Sequence, residues 1–231
     1  MSRIVAIVFP HLMTDWILRR QPALRDVPFV MAIADRGRRV VKAANVLAEE
    51  KGVRIDMVVA DCKAIAPELQ VLDYDPEQSK KLLTALAEWS IRYAPVVAVD
   101  LPNGLLLDAS GCTHLWGGEE NYLQTIQTRF KKFGYHTQLA ISDTIGCSWA
   151  MCRYGGAVSI VPTQQHVKAI SHLPPIALRL EEVIAERLTK LGLLTIESFR
   201  NMPRPALRRV GRAPRDLPRP RGPARRPGAG R

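Results

Sequence analysis

No apolar run in these 231 residues approaches the ~18 to 20 needed to cross a bilayer. The run nearest the start, within MSRIVAIVFPHLMTDW, is about seven residues long and is followed by no small-residue cleavage site. It reads as the first strand of a cytoplasmic protein with no membrane contact. The four cysteines, Cys62, Cys112, Cys147 and Cys152, form no CxxC pair, and the spacing of the last two suits one helix better than a zinc knuckle, so reduced, buried thiols are expected. Acid is almost missing from residues 200–231, where 11 arginines face the single Asp216. That segment holds +10 of the net charge of +11, which leaves residues 1–199 nearly neutral. A uniformly basic nucleic-acid face is therefore not shown by the sequence, and any electrostatic footprint must be local.

What is present suffices to fold. Hydrophobic residues make up 47% of the chain, enough to bury a core in one large or two small domains. Arg3 to Phe9 reads as a buried strand ended by Pro10. A helix follows from His11 to Arg20, with Leu12 and Trp16 on its buried face and Asp15 and Arg19 on its wet one. Phe29–Ile33 and Arg39–Val41 form a small antiparallel pair around a charged turn, Asp35-Arg36-Gly37-Arg38. Helices are expected over 43–50 and 57–65, a short strand over 69–72, and a longer helix from Pro76 to about Tyr93, with Leu82, Leu86, Trp89 and Tyr93 along one stripe. After a hairpin come helix 119–133, strand 136–141, helix 144–154 and strand 158–161. The order implies an α+β fold, an antiparallel sheet with helices on one face. The sheet domain is placed at 1–10 and 76–165, with 11–75 inserted.

His172-Leu173-Pro174-Pro175 marks a boundary, and helices at 181–191 and 195–201 follow. Between them, Leu191-Gly192-Leu193-Leu194-Thr195 has the pattern of a helix-hairpin-helix, a glycine turn and an N-capping threonine that bring backbone N–H groups to a phosphate. An ordinary αα-hairpin fits the same stretch. A helical domain over 166–210 is expected, and beyond it an Arg/Pro/Gly-rich tail, 211–231, that is disordered or comes from a shifted reading frame.

The segment PVVAVDLPNGLLLDASGCTHLWGG carries the functional question. Val96–Val99 and Leu105–Leu107 are β-prone, and Pro102-Asn103-Gly104 is a strong signal for a tight Asn-Gly hairpin turn. A buried central hairpin is where many nucleotidyl-transfer enzymes keep metal-binding carboxylates, and this turn has none. Asp100 and Asp108 flank it but stand eight residues apart across the turn, and the first strand offers no third acid. Asp108 is better read as a hydrogen-bonding residue at the hairpin end. Cys112 and His114, two apart on an extended strand, are too far from each other to share a proton.

With the elements in order, the chain resembles the N-terminal two-thirds of a Y-family (translesion) DNA polymerase, with palm, fingers and thumb over residues 1 to about 210. The matching blocks are IVAIVFP, VVKAANVLAEEKGVRIDM, LLLDASGCTHLWGG and LGLLTIESF. Within that family it is most similar to the ImuB-like branch. The resemblance implies two magnesium ions held by carboxylates of the first strand and the hairpin. Those positions carry Val8, Pro10, Asn103 and Gly104 here, and the triphosphate-contacting positions carry Val46, Glu49 and Trp149. No cofactor is therefore expected, and Glu49 would repel the phosphates an arginine would clamp. The implied function is a non-catalytic adaptor in DNA-damage-induced translesion synthesis. The partners implied are DNA, an error-prone C-family DNA polymerase, an ImuA/RecA-like protein and the sliding clamp, with Leu191, Gly192, Leu193 and Thr195 on the DNA. The branch continues into a little-finger domain and a clamp-binding tail that this sequence does not reach. An active translesion polymerase and a truncated DNA-binding fragment remain alternatives.

Overall fold

The computed structural model describes residues 2–205 and 207, and the tail expected over 211–231 lies outside them. The chain divides into two compact units, one ending at Leu173 and the other beginning at Pro174.

In the first unit, β1 (Ile4–Val8) leads into α1 (Leu12–Arg20), β2 (Phe29–Asp35), β3 (Arg38–Ala44), α2 (Val46–Glu50), α3 (Val59–Ile65) and β4 (Gln70–Asp73). Next come α4 (Pro76–Ser90), β5 (Val96–Asp100), β6 (Gly104–Asp108), α5 (Glu119–Lys132), β7 (Gln138–Ser142), α6 (Ile145–Tyr154), β8 (Val158–Ile160) and α7 (His166–Ile170). Five strands form a sheet in the order β5-β6-β1-β7-β8, and three form a second in the order β3-β2-β4. β1 is central and antiparallel to both neighbours, with Val8 opposite Gly104 on one side and Gln138 on the other.

β1 reads as a continuous apolar run because both of its faces are covered. Val5 and Ile7, with Leu105, Leu107, Leu139 and Ile141, pack against Leu83 and Leu86 of α4 and Leu123, Ile126 and Phe130 of α5. Ala6 and Val8 point the other way, against Ala140 and Cys152. The fold class is α+β as expected, with two differences. α6 covers the face opposite α4 and α5, and β8 runs parallel to β7. Alternation explains the first: the small residues Ala6 and Ala140 leave room for a close helix where Val5 and Ile7 do not. Each fully buried Leu, Ile or Phe contributes about 1.5–3 kcal/mol.

Local chemistry sets the ends of these elements. Asp75 caps α4 by accepting the Glu77 N–H at 2.9 Å, with Pro76 in the first turn. α5 carries Glu119 and Glu120 at its start and Arg129, Lys131 and Lys132 at its end, matching its dipole. It stops at Gly134, whose left-handed φ of 78° lets the Tyr135 N–H reach back to the Phe130 carbonyl at 3.0 Å. Arg3 is buried beside these ends, paired with Glu119 at 2.5 Å and Asp143 at 2.8 Å, and it also donates to the Val161 carbonyl.

Three local expectations are corrected. The helix expected over 43–50 begins only at Val46. β3 continues to Ala44, and the buried Asn45 side chain switches strand to helix by accepting the Phe29 and Ala48 N–H groups, both at 3.0 Å, and donating to the Val27 carbonyl. Asp15 is not on a wet face. It is 3% exposed and accepts the His136 N–H at 2.8 Å and a ring contact from His136 Nδ1 at 3.0 Å, because the segment leading into β7 lies on that side of α1. Burial raises the Asp15 pKa, with the His136 contacts opposing. Cys112 and His114 bracket the entry to a short 3-10 turn, Thr113–Trp116, and not a strand.

The second unit contains α8 (Glu182–Lys190) and α9 (Ile196–Arg200), around buried Ala185, Leu188, Ile196 and Phe199. α7, within the stretch expected to be the helical C-terminal domain, belongs to the first unit.

Candidate functional site

The end of β1 and the β5–β6 connection meet because Val8 pairs with Gly104, which pairs in turn with Asp100. Gly104 is therefore the first residue of β6, and the connection is the three-residue loop Leu101-Pro102-Asn103, not a tight Asn-Gly turn. Asn103 determines this: its carbonyl accepts the Phe9 N–H at 2.9 Å and its side chain donates to the Phe9 carbonyl at 3.2 Å, so it is bound to β1. The glycine answers a close approach. A Cβ at position 104 would lie 3.1 Å from the Asp100 carbonyl oxygen, 3.2 Å from Asp100 Oδ2 and 3.2 Å from the Ile7 carbonyl oxygen.

From α6, Arg153 Nη1 donates to Asn103 Oδ1 at 3.1 Å, and Nη2 lies 3.4 Å from Asp100 Oδ2. The guanidinium carbon is 4.8 Å from the centre of the Trp149 ring. The arginine and aspartate side chains are 18% and 13% exposed, a setting in which a charge needs a partner. Asp108 is at the far end of β6, opposite Ile4, roughly 13 Å along the strand from Gly104. The Ser110 side chain and the Ser110 N–H, which Asp108 accepts at 3.0 Å, lower its pKa. Asp100 and Asp108 therefore cannot form a shifted metal pair.

A cavity of about 270 Å³ opens beside the loop, lined by Phe9, Pro10, Leu12 and Met13, by Lys42, Ala43, Ile55 and Asp56, and by Tyr74, Ser79, Pro102 and Asn103. Its Lys42 is paired with Asp56 at 2.5 Å. Of the sequence-derived positions, Pro10 and Asn103 reach this cavity. Val8 is buried against α6, Gly104 faces Asp100, and Trp149 lies against Arg153. Val46 and Glu49 sit on α2, with Glu49 3.8 Å from His11 Nε2. Among the described residues, no three His, Cys, Asp or Glu side chains are grouped so as to hold a metal ion. The donor chemistry agrees: Val8 and Gly104 offer no side-chain oxygen, Asn103 Oδ1 accepts from Arg153, and Asp100 faces the same guanidinium. Among the described residues at this loop, the side chains present do not match magnesium's preference for free carboxylate oxygens.

Sequence reasoning missed Arg153. Its spacing of four from Trp149 places the two on one helix face, but nothing in the sequence linked that face to a loop 50 residues earlier.

In the second unit, Gly192 has φ 78°, its N–H donates to the Thr189 carbonyl at 2.9 Å, and the Leu193 N–H donates to the Leu188 carbonyl at 3.0 Å. These two amides close the end of α8. Thr195 holds the N-cap position of α9 without a side-chain cap bond, contrary to the capping role expected of it.

Solved structures define the class to which this architecture belongs. The chain matches the DinB polymerase of Sulfolobus solfataricus with a TM-score of 0.75 at 15% identity, over 90% of this chain and 62% of that one. An insertion ternary complex of Dbh DNA polymerase gives 0.77 at 15% identity, over 90% and 63%. The fold is that of a Y-family DNA polymerase. Residues 7–153 match the impB/mucB/samB family (IMS), and the chain belongs to that family. Protein ImuB of Caulobacter vibrioides is 39% identical over 148 residues, which is 64% of this chain and 32% of that protein. DNA polymerase IV of Yersinia enterocolitica is 25% identical over 192 residues, 80% of this chain and 53% of that protein. The chain spans about a third to a half of the length of these curated relatives. Among its described residues, no helix is long and apolar enough to cross a membrane.

Proposed function

We propose that the chain is a non-catalytic Y-family homologue serving as an adaptor in DNA-damage-induced translesion synthesis. Residues 1–10 and 76–165 would be its palm, 11–75 its fingers and 166–210 its thumb. The observation that carries this reading is the β5–β6 loop, where the metal-binding positions are Asn103 and Gly104 and the nearest carboxylate, Asp100, is engaged by Arg153. Phosphoryl transfer in this class depends on positioned metal ions and cationic phosphate contacts, and a site with neither has no means to stabilise the transition state. The identity to ImuB supports placement in the ImuB-like branch. By that likeness the partners are DNA, an error-prone C-family polymerase, an ImuA/RecA-like protein and the sliding clamp, and the setting is cytoplasmic.

The test is primer extension by the purified chain with magnesium or manganese, read beside a DNA gel shift. No template-directed addition is expected. Addition that is abolished by Asp100→Ala or Asp108→Ala would establish an active polymerase instead. The +10 charge of residues 200–231 favours a second reading, a DNA-binding fragment whose affinity resides in its arginines. A gel shift lost on deletion of 203–231 supports that reading, whereas one that survives the deletion but is lost with Gly192→Pro places the contact on the α8–α9 hairpin.

A further inference from the structure

Three of the positions where the family's acids and phosphate contacts would stand, Asn103, Gly104 and Trp149, surround one ion pair. Asn103 accepts from Arg153 Nη1, Gly104 leaves the space that Asp100 Oδ2 occupies beside it, and Trp149 supplies the aromatic face against the guanidinium. A Cβ at 104 would press on Asp100 and move it from Arg153, and an aromatic ring is a favourable neighbour for a partly desolvated guanidinium. We propose that Arg153 is a built-in cation of the degenerate site. It holds the oxygens of residues 100 and 103 that a metal ion would need, and it thereby keeps the site closed to cations. Restoring an acid at 103 would then yield a charge-assisted arginine–carboxylate pair and no metal site. A divalent ion approaching the same oxygens would meet a fixed positive charge. The proposal rests on the reading of this loop as a former metal seat and goes beyond it, since loss of the acids alone does not require anything to have replaced the metal.

Terbium titration of the full chain tests this, because Trp149 lies close enough to sensitise the emission of an ion bound between residues 100 and 103. Three proteins are compared: the unmodified chain, Asn103→Asp, and Asn103→Asp with Arg153→Met. Saturable tryptophan-sensitised emission, competed by magnesium, is expected for the double variant, with an affinity at least tenfold tighter than any shown by the unmodified chain or Asn103→Asp. If the methionine variant does not fold by circular dichroism, Arg153→Gln replaces it, keeping a polar donor without the charge. Equal terbium affinity for Asn103→Asp with and without Arg153 would overturn the proposal, as would a folded double variant that binds no terbium. Neither result would touch the non-catalytic reading, which only primer extension by the unmodified chain can sink.

Discussion

Gly104→Ala tests whether this glycine is demanded by its surroundings or merely left where an acid once stood. The added methyl would meet three oxygens at 3.1–3.2 Å, closer than an ordinary carbon–oxygen contact. Two of the three are backbone carbonyls, of Asp100 in β5 and Ile7 in β1, and the strand ladders hold both in place. Only the Asp100 carboxylate can swing away, and doing so weakens its contact with Arg153. Alanine gains about 0.5–1 kcal/mol over glycine in a strand through chain entropy. Overpacking of this kind costs about 1–3 kcal/mol. The two ranges together leave a net loss of up to about 2.5 kcal/mol, centred on about 1 kcal/mol, which is a fall of about 2–4 °C in Tm at the centre for a unit of this size. Urea and thermal unfolding followed by circular dichroism measure it directly. An alanine variant as stable as the parent, or more stable, would refute the claim that close approach requires glycine here, and with it the linkage between Gly104 and the Asp100–Arg153 pair.

Two further outcomes follow from particular residues. Burial raises the Asp15 pKa above its ordinary 3.8, so the folded chain holds that proton more tightly than the unfolded one. Its contribution to stability is complete below the ordinary value and is lost as pH rises through the raised one. Asp15→Asn, which can still accept the His136 N–H, should flatten that part of a stability-versus-pH curve measured by urea unfolding, and an unchanged slope would count against it. Gly192→Ala meets no neighbour within 4 Å but must adopt a φ of 78°, so it should cost the second unit about 1 kcal/mol, read as faster hydrogen exchange at Gly192 and Leu193.

How much was legible depended on the range of the forces involved. Pro76 at the start of α4, Gly134 after α5 and the β-prone runs 96–99 and 105–107 are signals written within a few residues, and the elements they imply are present. Asn45 misled for the same reason: as a sequence it continues a helix, but its side chain is taken by Phe29, 16 residues earlier. Asp15 looked wet on a helical wheel because the segment that covers it, Tyr135–His136, is 121 residues away from it at His136.

That the end of β1 and the hairpin offer no acid could be read from the residues alone, because a residue type needs no coordinates: Val8, Pro10, Asn103 and Gly104 lack carboxylates in any fold. The α+β class could be read the same way, from the periodicities. What stands there instead came from long-range packing. Arg153 and Asp100 are 53 residues apart, and no local preference brings them together. They meet because β1 lies centrally between the hairpin and β7, with α6 packed over Ala6 and Val8. Burial at that junction makes an unpaired charge costly, so the two side chains are held against each other.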